Sequence, residues 1–418
     1  MISCTQCIRP QRPKPDYAPI EAQPILFSPM NSITATIPKP YLPVHDALRG
    51  AIARPPKLST SEIIHVLQTL GANAANSSSH SALIRSVKDL NDRAIAIDAS
   101  FASTEDLLTE IQAGTGVHIP SRAKEQLENV LAMYLMRHED YIDIFWDTHP
   151  IVEKGRHVAT ELKDIVIPSL ADSAVLKSDK LKAIARFQTF LKEEGADDAH
   201  KLHERVDALV AGFKTVVDRW QEIVTEHSLD VTSDTIQQFD NKLKSFDTTI
   251  GDLTKKMISL SSTLNVTSAF PTTCQNLSSF IPEWSDTMLL DAISKGVSGK
   301  VIQDIRTEQH DIYTGLSDTE HERSQDAHKL AKLQHLHASL YGEKRSVSHV
   351  CWQFKAAIGI WTSASSDLDV IKGKLNSSGE QEVLEEQLHA MRVLYSSLKT
   401  GLDEYLRLFT STKPVKRR

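Results

Sequence analysis

Three histidines follow one another at intervals of seven residues in the second half of the chain: His321, His328 and His335. A sevenfold interval returns to the same face of an α-helix after two turns, so the sequence predicts that the three imidazoles share one helix face. Neighbouring members would lie about 10 Å apart along that helix, too far for a single metal ion. We interpret them as a solvated polar stripe, with a pH response as the alternative.

Cysteine offers a second candidate chemistry. Cys4 and Cys7 form a CxxC pair, but no second pair at zinc-site spacing follows, so the signal for zinc or redox chemistry is weak. Cys351 falls on an apolar helical stripe, which predicts a core position. We expect no metal site.

Sequence motifs of common catalytic sites are missing from the chain. His138, Glu139 and His149 do not match HExxH, and no phosphate-binding glycine loop or GxSxG elbow occurs. The sequence therefore predicts no catalytic residue, no cofactor and no enzyme activity. An enzyme whose site is assembled between helices remains a minor alternative.

Charge and hydropathy exclude two further classes of protein. The formal net charge of −7 argues against nucleic acid as a partner. The first 30 residues lack the apolar core of a signal peptide, and no run approaches the ~20 apolar residues that span a bilayer. We expect a soluble protein of unknown location, with non-classical secretion as an open route.

The apolar residues follow a helical period over long spans. They step alternately by four and three residues over 202–223, resume at 236–264 after a break near 228–230, and keep the same step over 347–368 and 384–409. A strand would need a period of two. The predicted fold is all-α, an elongated bundle of long antiparallel helices with a small head inserted between two of them.

Capping residues and chain breakers predict where the earlier helices begin and end. Ser59 and Glu62 have capping-box spacing, so order should begin there. Gly71 and the polar run 73–80 should break the chain, and Gly195 should close a helix. The predicted helices between these breaks cover about 81–113, 121–150 and 151–194, the last bent at Pro168.

These patterns divide the chain into segments. Residues 1–58 are rich in proline and are predicted to form a disordered or extended arm. Residues 59–256 and 302–410 should form the bundle, as tail and stalk. Residues 257–301 form the low-charge head, and 411–418 a basic, flexible tail.

The predicted head is unusual because residues 257–282 carry no charged side chain. One interpretation is a neutral cap over one end of the bundle. The other is a head that rests against the bundle in water and is released onto a membrane, where charges would be costly. The second interpretation predicts these membrane-interacting residues: Ile258, Leu260, Leu264, Val266, Phe270, Phe280, Ile281, Trp284, Leu289 and Leu290.

Four stretches carry a resemblance to a known family. They are ELKDIVIPSLADSAVLKSDKLKAIARFQTFLKEE, AHKLHERVDALVAGFKTVVDRWQEIV, TIQQFDNKLKSFDTTIGDLTKKM and WQFKAAIGIWTSASSDLDVIKGKL. Their order, with the low-charge insertion between the third and fourth, resembles the ClyA-type α-helical pore-forming toxins, especially the haemolysin BL and non-haemolytic enterotoxin components and the XaxA-like subunits. The likeness covers roughly residues 60–410 and is one of layout. The head departs from the family by being only moderately apolar.

The resemblance implies a soluble protein that rearranges and assembles at a membrane. Its implied partners are membrane lipid and either further copies of itself or a second toxin-like subunit. The moderately apolar head fits one component of a multi-subunit system, or a relative without lytic activity. The alternative function is a non-lytic coiled-coil scaffold or tether that binds partner helices.

Overall fold

The computed structural model describes residues 59–263, 299–328, 330–377 and 381–411, and every regular element in these ranges is a helix. The predicted all-α class is therefore confirmed. The predicted arm at 1–58, the charged residues of the basic tail, and Cys4, Cys7 and Cys274 lie outside the described residues.

The helices are numbered here in chain order. They are α1 Thr60–Ala75, α2 Ser77–Ala113, α3 Ser121–Glu161, α4 Ile167–Ala171, α5 Lys177–Leu191, α6 Asp197–Glu226, α7 Asp234–Thr263, α8 Gly299–Ala327, α9 Lys332–Ile358, α10 Ile360–Asn376 and α11 Gln381–Ser411. Two π-helical turns, Leu162–Val166 and Lys192–Ala196, join α3 to α4 and α5 to α6.

The first helix begins where its sequence predicts. Ser59 is the N-cap of α1, and its hydroxyl accepts a hydrogen bond from the Glu62 backbone N–H at 3.4 Å. The Glu62 carboxylate in turn accepts from the Ser59 backbone N–H at 2.7 Å. This capping box satisfies two amides that the helix leaves unpaired.

The predicted break at Gly71 and 73–80 is confirmed only at Asn76, where the backbone is extended. Helix α1 continues through Gly71 to Ala75, and only Asn76 separates it from α2. Gly71 is buried against α11, where an added Cβ would lie 3.7 Å from the Ala390 Cα atom. Packing against α11 outweighs the low helix propensity of glycine and asparagine.

The predicted boundary at residue 150 is wrong, because Pro150 lies inside α3. Proline removes one helical hydrogen bond, but the buried neighbours Ile151 and Val152 hold the helix in the core through that point. The chain instead leaves the helix after Ala171. Pro168 follows the π-helical turn at the start of α4, and Gly195 has the non-helical φ of 133° expected at a helix kink.

Inter-helical contacts show how the longest helices pack. Lys154 pairs with Asp198 at 2.8 Å, and Gln126 donates to Glu226 at 2.8 Å, so α3 and α6 are antiparallel. Helix α11 packs against α1, α2 and α3, and α10 packs against α5.

The apolar stripe of α6 faces the core as predicted. Its members, all buried, are Leu202, Val206, Leu209, Phe213, Val216, Trp220 and Ile223. The Phe101 ring on α2 lies 5.5 Å from that of Phe213 and 5.4 Å from that of Tyr134 on α3. Each such side chain contributes roughly 1.5–3 kcal/mol on burial, so this core fixes α2, α3 and α6 against one another.

Candidate functional site

Helices α7 and α8 form an antiparallel pair, called here the hairpin. The Arg323 Nε atom donates to Asp240 Oδ1 at 2.6 Å, and a Cβ added to Gly315 would lie 3.1 Å from the Phe246 ring. As residue numbers rise along α7, those of their partners fall along α8. The same register brings Thr263 and Gly299 to one end of the pair. The low-charge segment connects these two helix ends.

The hairpin packs along α9, and its first helix, α7, runs parallel to α9. Helix α9 is antiparallel to α6, because Trp220 Nε1 donates to His337 Nδ1 at 3.1 Å and Lys355 pairs with Asp207. Helix α7 runs parallel to α9, since Gln334 donates to the Thr232 carbonyl at 2.9 Å, and Arg345, further along α9, reaches Asp247. The chain therefore reverses direction between α6 and α7.

A left-handed residue makes this reversal. Ser228 has a φ of 49°, which favours glycine. The Leu229 amide donates to the Val224 carbonyl at 3.0 Å and the Ser228 amide to the Thr225 carbonyl at 3.4 Å, the pattern of a Schellman helix end. The predicted break near 228–230 is confirmed.

One arginine of α9 contacts both helices of the hairpin. Arg345 Nε and Nη2 donate to the two Asp247 carboxylate oxygens of α7 at 3.0 and 2.8 Å, and its Nη1 donates to Glu320 of α8. We call these three residues the clasp. Planar, bidentate geometry makes such a pair stronger and more directional than a lysine contact.

A second arginine reinforces the attachment from the side of the hairpin. Arg323 of α8 is buried, and besides Asp240 it donates through Nη2 to the Ala338 carbonyl of α9 at 3.0 Å. A Cβ added to Gly342 would lie 2.6 Å from Arg323 Nη1, so the glycine leaves room for this guanidinium.

Apolar contacts between the hairpin and the rest of the bundle are of two kinds. Ile236, Ala327 and Ala338 form a small cluster of their own, separate from the main core. The hairpin also contributes side chains to the main core: Leu243, Phe246, Ile312 and Leu316.

A cavity of about 470 Å³ lies where α2, α7, α8 and α9 meet. Its wall is rich in charged and polar side chains, including Arg93, Asp240, Glu320, Arg323, His328, His335, Glu343, Arg345 and His349. The clasp arginine and its Glu320 partner therefore border a polar space that is large enough to hold water.

Glu343 anchors the α9 side of this cavity to the body of the bundle. Its carboxylate is buried and accepts hydrogen bonds from Ser100 Oγ and Thr104 Oγ1, both at 2.6 Å, and from Tyr134 OH at 2.8 Å. Burial raises the pKa of Glu343 above its ordinary value, and the three hydroxyl donors act in the opposite direction. The network joins α9 firmly to α2 and α3.

The predicted single-face stripe of histidines is wrong. Helix α8 ends at Ala327 and α9 begins at Lys332, so His328 lies in the connection between them. The His328 and His335 rings are 5.0 Å apart instead of about 10 Å. The periodicity argument failed because it assumed an unbroken helix.

No metal or catalytic arrangement emerges from these histidines. Within the ranges the structure describes, no three His, Cys, Asp or Glu side chains lie together in a way that could hold a metal ion. His138 contacts Asp98 at 2.8 Å and stacks on Phe101 at 4.7 Å, which explains it as a packed core residue. Cys351 is buried and unpaired, as its apolar stripe predicted.

Most of the predicted membrane-interacting residues lie outside the described part of the chain. These are Leu264, Val266, Phe270, Phe280, Ile281, Trp284, Leu289 and Leu290. Ile258 and Leu260 lie on α7, near its end. No helix of the described ranges is both long and apolar enough to cross a membrane.

The clasp could not be found from sequence reasoning. Its members are ordinary surface charges by type, and they are separated by 98 and 25 residues along the chain. Arg345, Asp247 and Glu320 come together only because both helices of the hairpin pack against α9.

Comparison with known proteins gives matches among solved structures only. No family model and no curated protein matches this chain. The chain is similar to components of α-pore-forming toxins. Three of these are the SmhB pore from Serratia marcescens (12% identity, 78% of this chain, 99% of that chain, TM-score 0.38), the AhlB pre-pore from Aeromonas hydrophila (13%, 80%, 99%, 0.39) and soluble SmhA from Serratia marcescens (10%, 77%, 95%, 0.37).

These structures belong to tripartite toxins, by their own descriptions. They are of the same class that the sequence resembles. Identities of 10–13% and TM-scores below 0.5 carry no functional assignment.

Proposed function

We propose that this chain is an α-helical, pore-forming-toxin-like protein that binds membranes and oligomerises through residues 257–301. It is not an enzyme in this proposal. Its partners are membrane lipid and either further copies of itself or a second toxin-like subunit.

The observation that carries the proposal is that α7 and α8 are joined by a segment of low charge. The antiparallel register brings Thr263 and Gly299 together, and residues 257–282 contain no Asp, Glu, Lys or Arg. A helical pair with charged, water-soluble stems thus carries a partly apolar connection whose first half, residues 264–282, has no charged side chain. The uncharged stretch can enter a lipid surface without the cost of inserting ions, and its Ser and Thr hydroxyls can form hydrogen bonds in either medium.

The hairpin is also attached in a way that permits release. Its attachment combines the clasp, the Arg323 bonds, a small apolar cluster and four side chains in the main core, to which α2, α3, α6 and α9 contribute many more. The hairpin carboxylates in these bonds are 34–48% exposed, so water can hydrate them after release. The turn at 227–233 is where the chain would pivot.

The proposed mechanism is a shift between two populations. In water the closed form dominates, because the apolar side chains that the hairpin contributes to the core stay buried. At a membrane, lipid and neighbouring copies bind the open form more tightly and so favour it. The ten predicted membrane-interacting residues supply that differential affinity.

Vesicle experiments test this function. The wild-type chain is mixed with anionic and zwitterionic liposomes, alone and with candidate partner proteins, and both co-sedimentation and dye leakage are measured. The test variant is Phe270→Asp with Ile281→Asp. The matched control is Met136→Asp with Leu176→Asp, which places the same charges at apolar residues that are 55% and 70% exposed on the body.

The proposal requires wild type and control to bind vesicles, and the test variant to lose both binding and leakage. If neither wild type nor control binds or permeabilises any vesicle, with or without partners, the membrane function is wrong. Binding and leakage retained by the test variant would mean that the membrane contact lies elsewhere. Capture of partner helices without lipid binding would favour the scaffold function.

A further inference from the structure

The cavity of about 470 Å³ is a cleft between the body and the hairpin. Residues of α2 line it from the body and residues of α8 from the hairpin, and α9, which packs against both helices, contributes the largest share. Sites that bind small molecules have volumes of about 300–1,000 Å³, so the cleft is large enough for a ligand. The proposed membrane function does not use it.

Most of the charged groups in the cleft already have partners in the protein. Asp240 pairs with Arg323 at 2.6 Å, and Glu343 accepts hydrogen bonds from three hydroxyl groups. Arg345 is engaged in the clasp. These bonds hold the helices together, so a ligand must find its main contacts among the other side chains of the cleft.

Arg93 of α2 is one such side chain. It is partly buried and lines the cleft, but it forms no hydrogen bond or ion pair with any residue in the described ranges. A guanidinium offers five N–H donors in a planar fork that matches a carboxylate or a phosphate. Arg93 is therefore free to bind an acidic group of a ligand.

His349 of α9 lies near Arg93 in the same cleft. It interacts electrostatically with both Arg93 and Glu320, and no described residue forms a hydrogen bond with it. Burial and then Arg93 lower the pKa of His349, so at neutral pH its ring is uncharged and has one N–H donor. That donor can bind the same acidic group as Arg93.

Glu320 supplies the opposite charge from the side of α8. Its Oε1 atom accepts a hydrogen bond from Arg345 in the clasp, while its Oε2 atom has no partner in the part of the chain that the structure describes. Glu320 and Arg93 both line the cleft, on different helices. Four serine hydroxyls also line it: Ser103, Ser324, Ser339 and Ser346. A ligand that satisfies both sides must carry an acidic group and a cationic group.

We propose that the cleft binds a small zwitterion, whose acidic group contacts Arg93 and His349 and whose ammonium group contacts Glu320. Such a molecule is either free in solution or the headgroup of a zwitterionic lipid. Because it contacts α2 and α8 at once, the bound molecule holds the hairpin against the body. Binding of the free molecule does not rest on the proposed membrane function.

Calorimetric titration of the full chain tests this site. The probe is glycerophosphoethanolamine, which carries a phosphate diester and an ammonium group, and its two halves, glycerol phosphate and ethanolamine, are titrated separately. The test variant is Arg93→Met. The matched control is Arg85→Met, which removes an exposed arginine of the same helix that does not line the cleft. Urea unfolding of both variants checks that the fold is retained.

Wild type and control should bind glycerophosphoethanolamine at least about tenfold more tightly than either half, and Arg93→Met should weaken this binding at least about tenfold. The proposal fails if the zwitterion binds no better than its halves, or if the two arginine variants bind it equally well. Should Arg93→Met not fold, Arg93→Lys must bind more weakly than wild type, because lysine keeps the charge but not the planar fork.

The ammonium contact is tested with Glu320→Gln, whose amide oxygen keeps an acceptor for Arg345. This variant should bind glycerophosphoethanolamine more weakly and glycerol phosphate as wild type does. An equal loss of affinity for both compounds would contradict the contact between Glu320 and the ammonium group.

Hydrogen exchange measures whether the ligand holds the hairpin. At a concentration of about ten times its Kd, glycerophosphoethanolamine should raise the protection of α7 and α8 amides by about tenfold, while the protection of α3 and α6 amides stays the same. Binding that leaves the protection of α8 unchanged would contradict the contact with both helices.

Vesicles distinguish the two sources of the zwitterion. Binding to vesicles that contain phosphatidylethanolamine, lost in Arg93→Met and kept in Arg85→Met, would identify a lipid headgroup. Vesicle binding that does not depend on Arg93, together with Arg93-dependent binding of the free compound, would identify a soluble molecule. Binding of the free compound by a chain that binds no vesicle would support the site and contradict the membrane function.

Discussion

Replacing Arg345 with Met tests how the hairpin is held. Methionine keeps the apolar stem that packs along α9 and removes the guanidinium, so all three bonds of the clasp to Asp247 and Glu320 disappear. Because the two carboxylates belong to the hairpin and the arginine to α9, the substitution should favour the open form specifically.

The expected magnitude follows from the exposure of the three groups. A hydrogen bond to a charged group contributes about 1.5–3 kcal/mol when buried, and an exposed ion pair only about 0.2–1 kcal/mol. The Arg345 side chain is 24% exposed, but Asp247 is 48% and Glu320 is 34% exposed, so both carboxylates are readily hydrated after the change. We expect a loss of about 1–2.5 kcal/mol, which is roughly a fivefold to seventyfold rise in the open fraction.

Residue-resolved hydrogen exchange at neutral pH measures this fraction. Protection of α7 and α8 amides should fall by that factor, while amides of α3 and α6 keep their protection. The control is Arg205→Met, which removes an inter-helical pair with Asp147 between α6 and α3, at 45% and 52% exposure. That pair is of similar type but does not touch the hairpin.

Two results would refute this reasoning. Unchanged protection of α7 and α8 in Arg345→Met would mean that the clasp contributes nothing to closure. An equal effect of Arg205→Met on the same amides would mean that any lost surface pair loosens the hairpin.

Two further substitutions test the body and the turn. Tyr134→Phe removes the hydroxyl that donates to Glu343 Oε2 at 2.8 Å, and should cost about 1.5–3 kcal/mol in urea unfolding at neutral pH. This bond favours the carboxylate form, and burial raises the pKa of Glu343, so the loss should shrink on acidification; an equal loss at acid and neutral pH would contradict it. Ser228→Gly should stabilise the closed turn by up to about 1 kcal/mol, because glycine adopts the φ of 49° without strain. Ser228→Val should do the reverse, and greater hairpin protection in Ser228→Val than in Ser228→Gly would disprove the role of the turn.

Local patterns in the sequence were sufficient for several elements. The capping box at Ser59 and Glu62 depends on four consecutive residues, and the apolar stripe of α6 on a period within one helix. The break near residue 228 and the interruption of the helix at Gly195 likewise follow from short runs of residues. These features were predicted correctly because their determining interactions are close along the chain.

Positions at which a helix tolerates a breaker could not be predicted this way. Gly71 and Pro150 are unfavourable within helices by intrinsic propensity, yet both lie inside one. Gly71 packs against α11, and the residues that follow Pro150 are buried in the core. The burial of several large side chains stabilises the helix by more than one residue of low helix propensity destabilises it. The local sequence pattern does not show which neighbouring helix provides that burial.

From the sequence alone, the protein could be predicted to consist of long amphipathic helices with one connection of low charge. The tertiary structure was needed to show that α7 packs parallel to α9, that Arg345 contacts both helices of the hairpin, and that the His328 ring contacts the His335 ring. Hydrophobic periodicity fixes which face of a helix is buried but leaves open which helix covers it and in which direction. Bonds between distant residues depend on that choice, and so the candidate site became visible only in the packed fold.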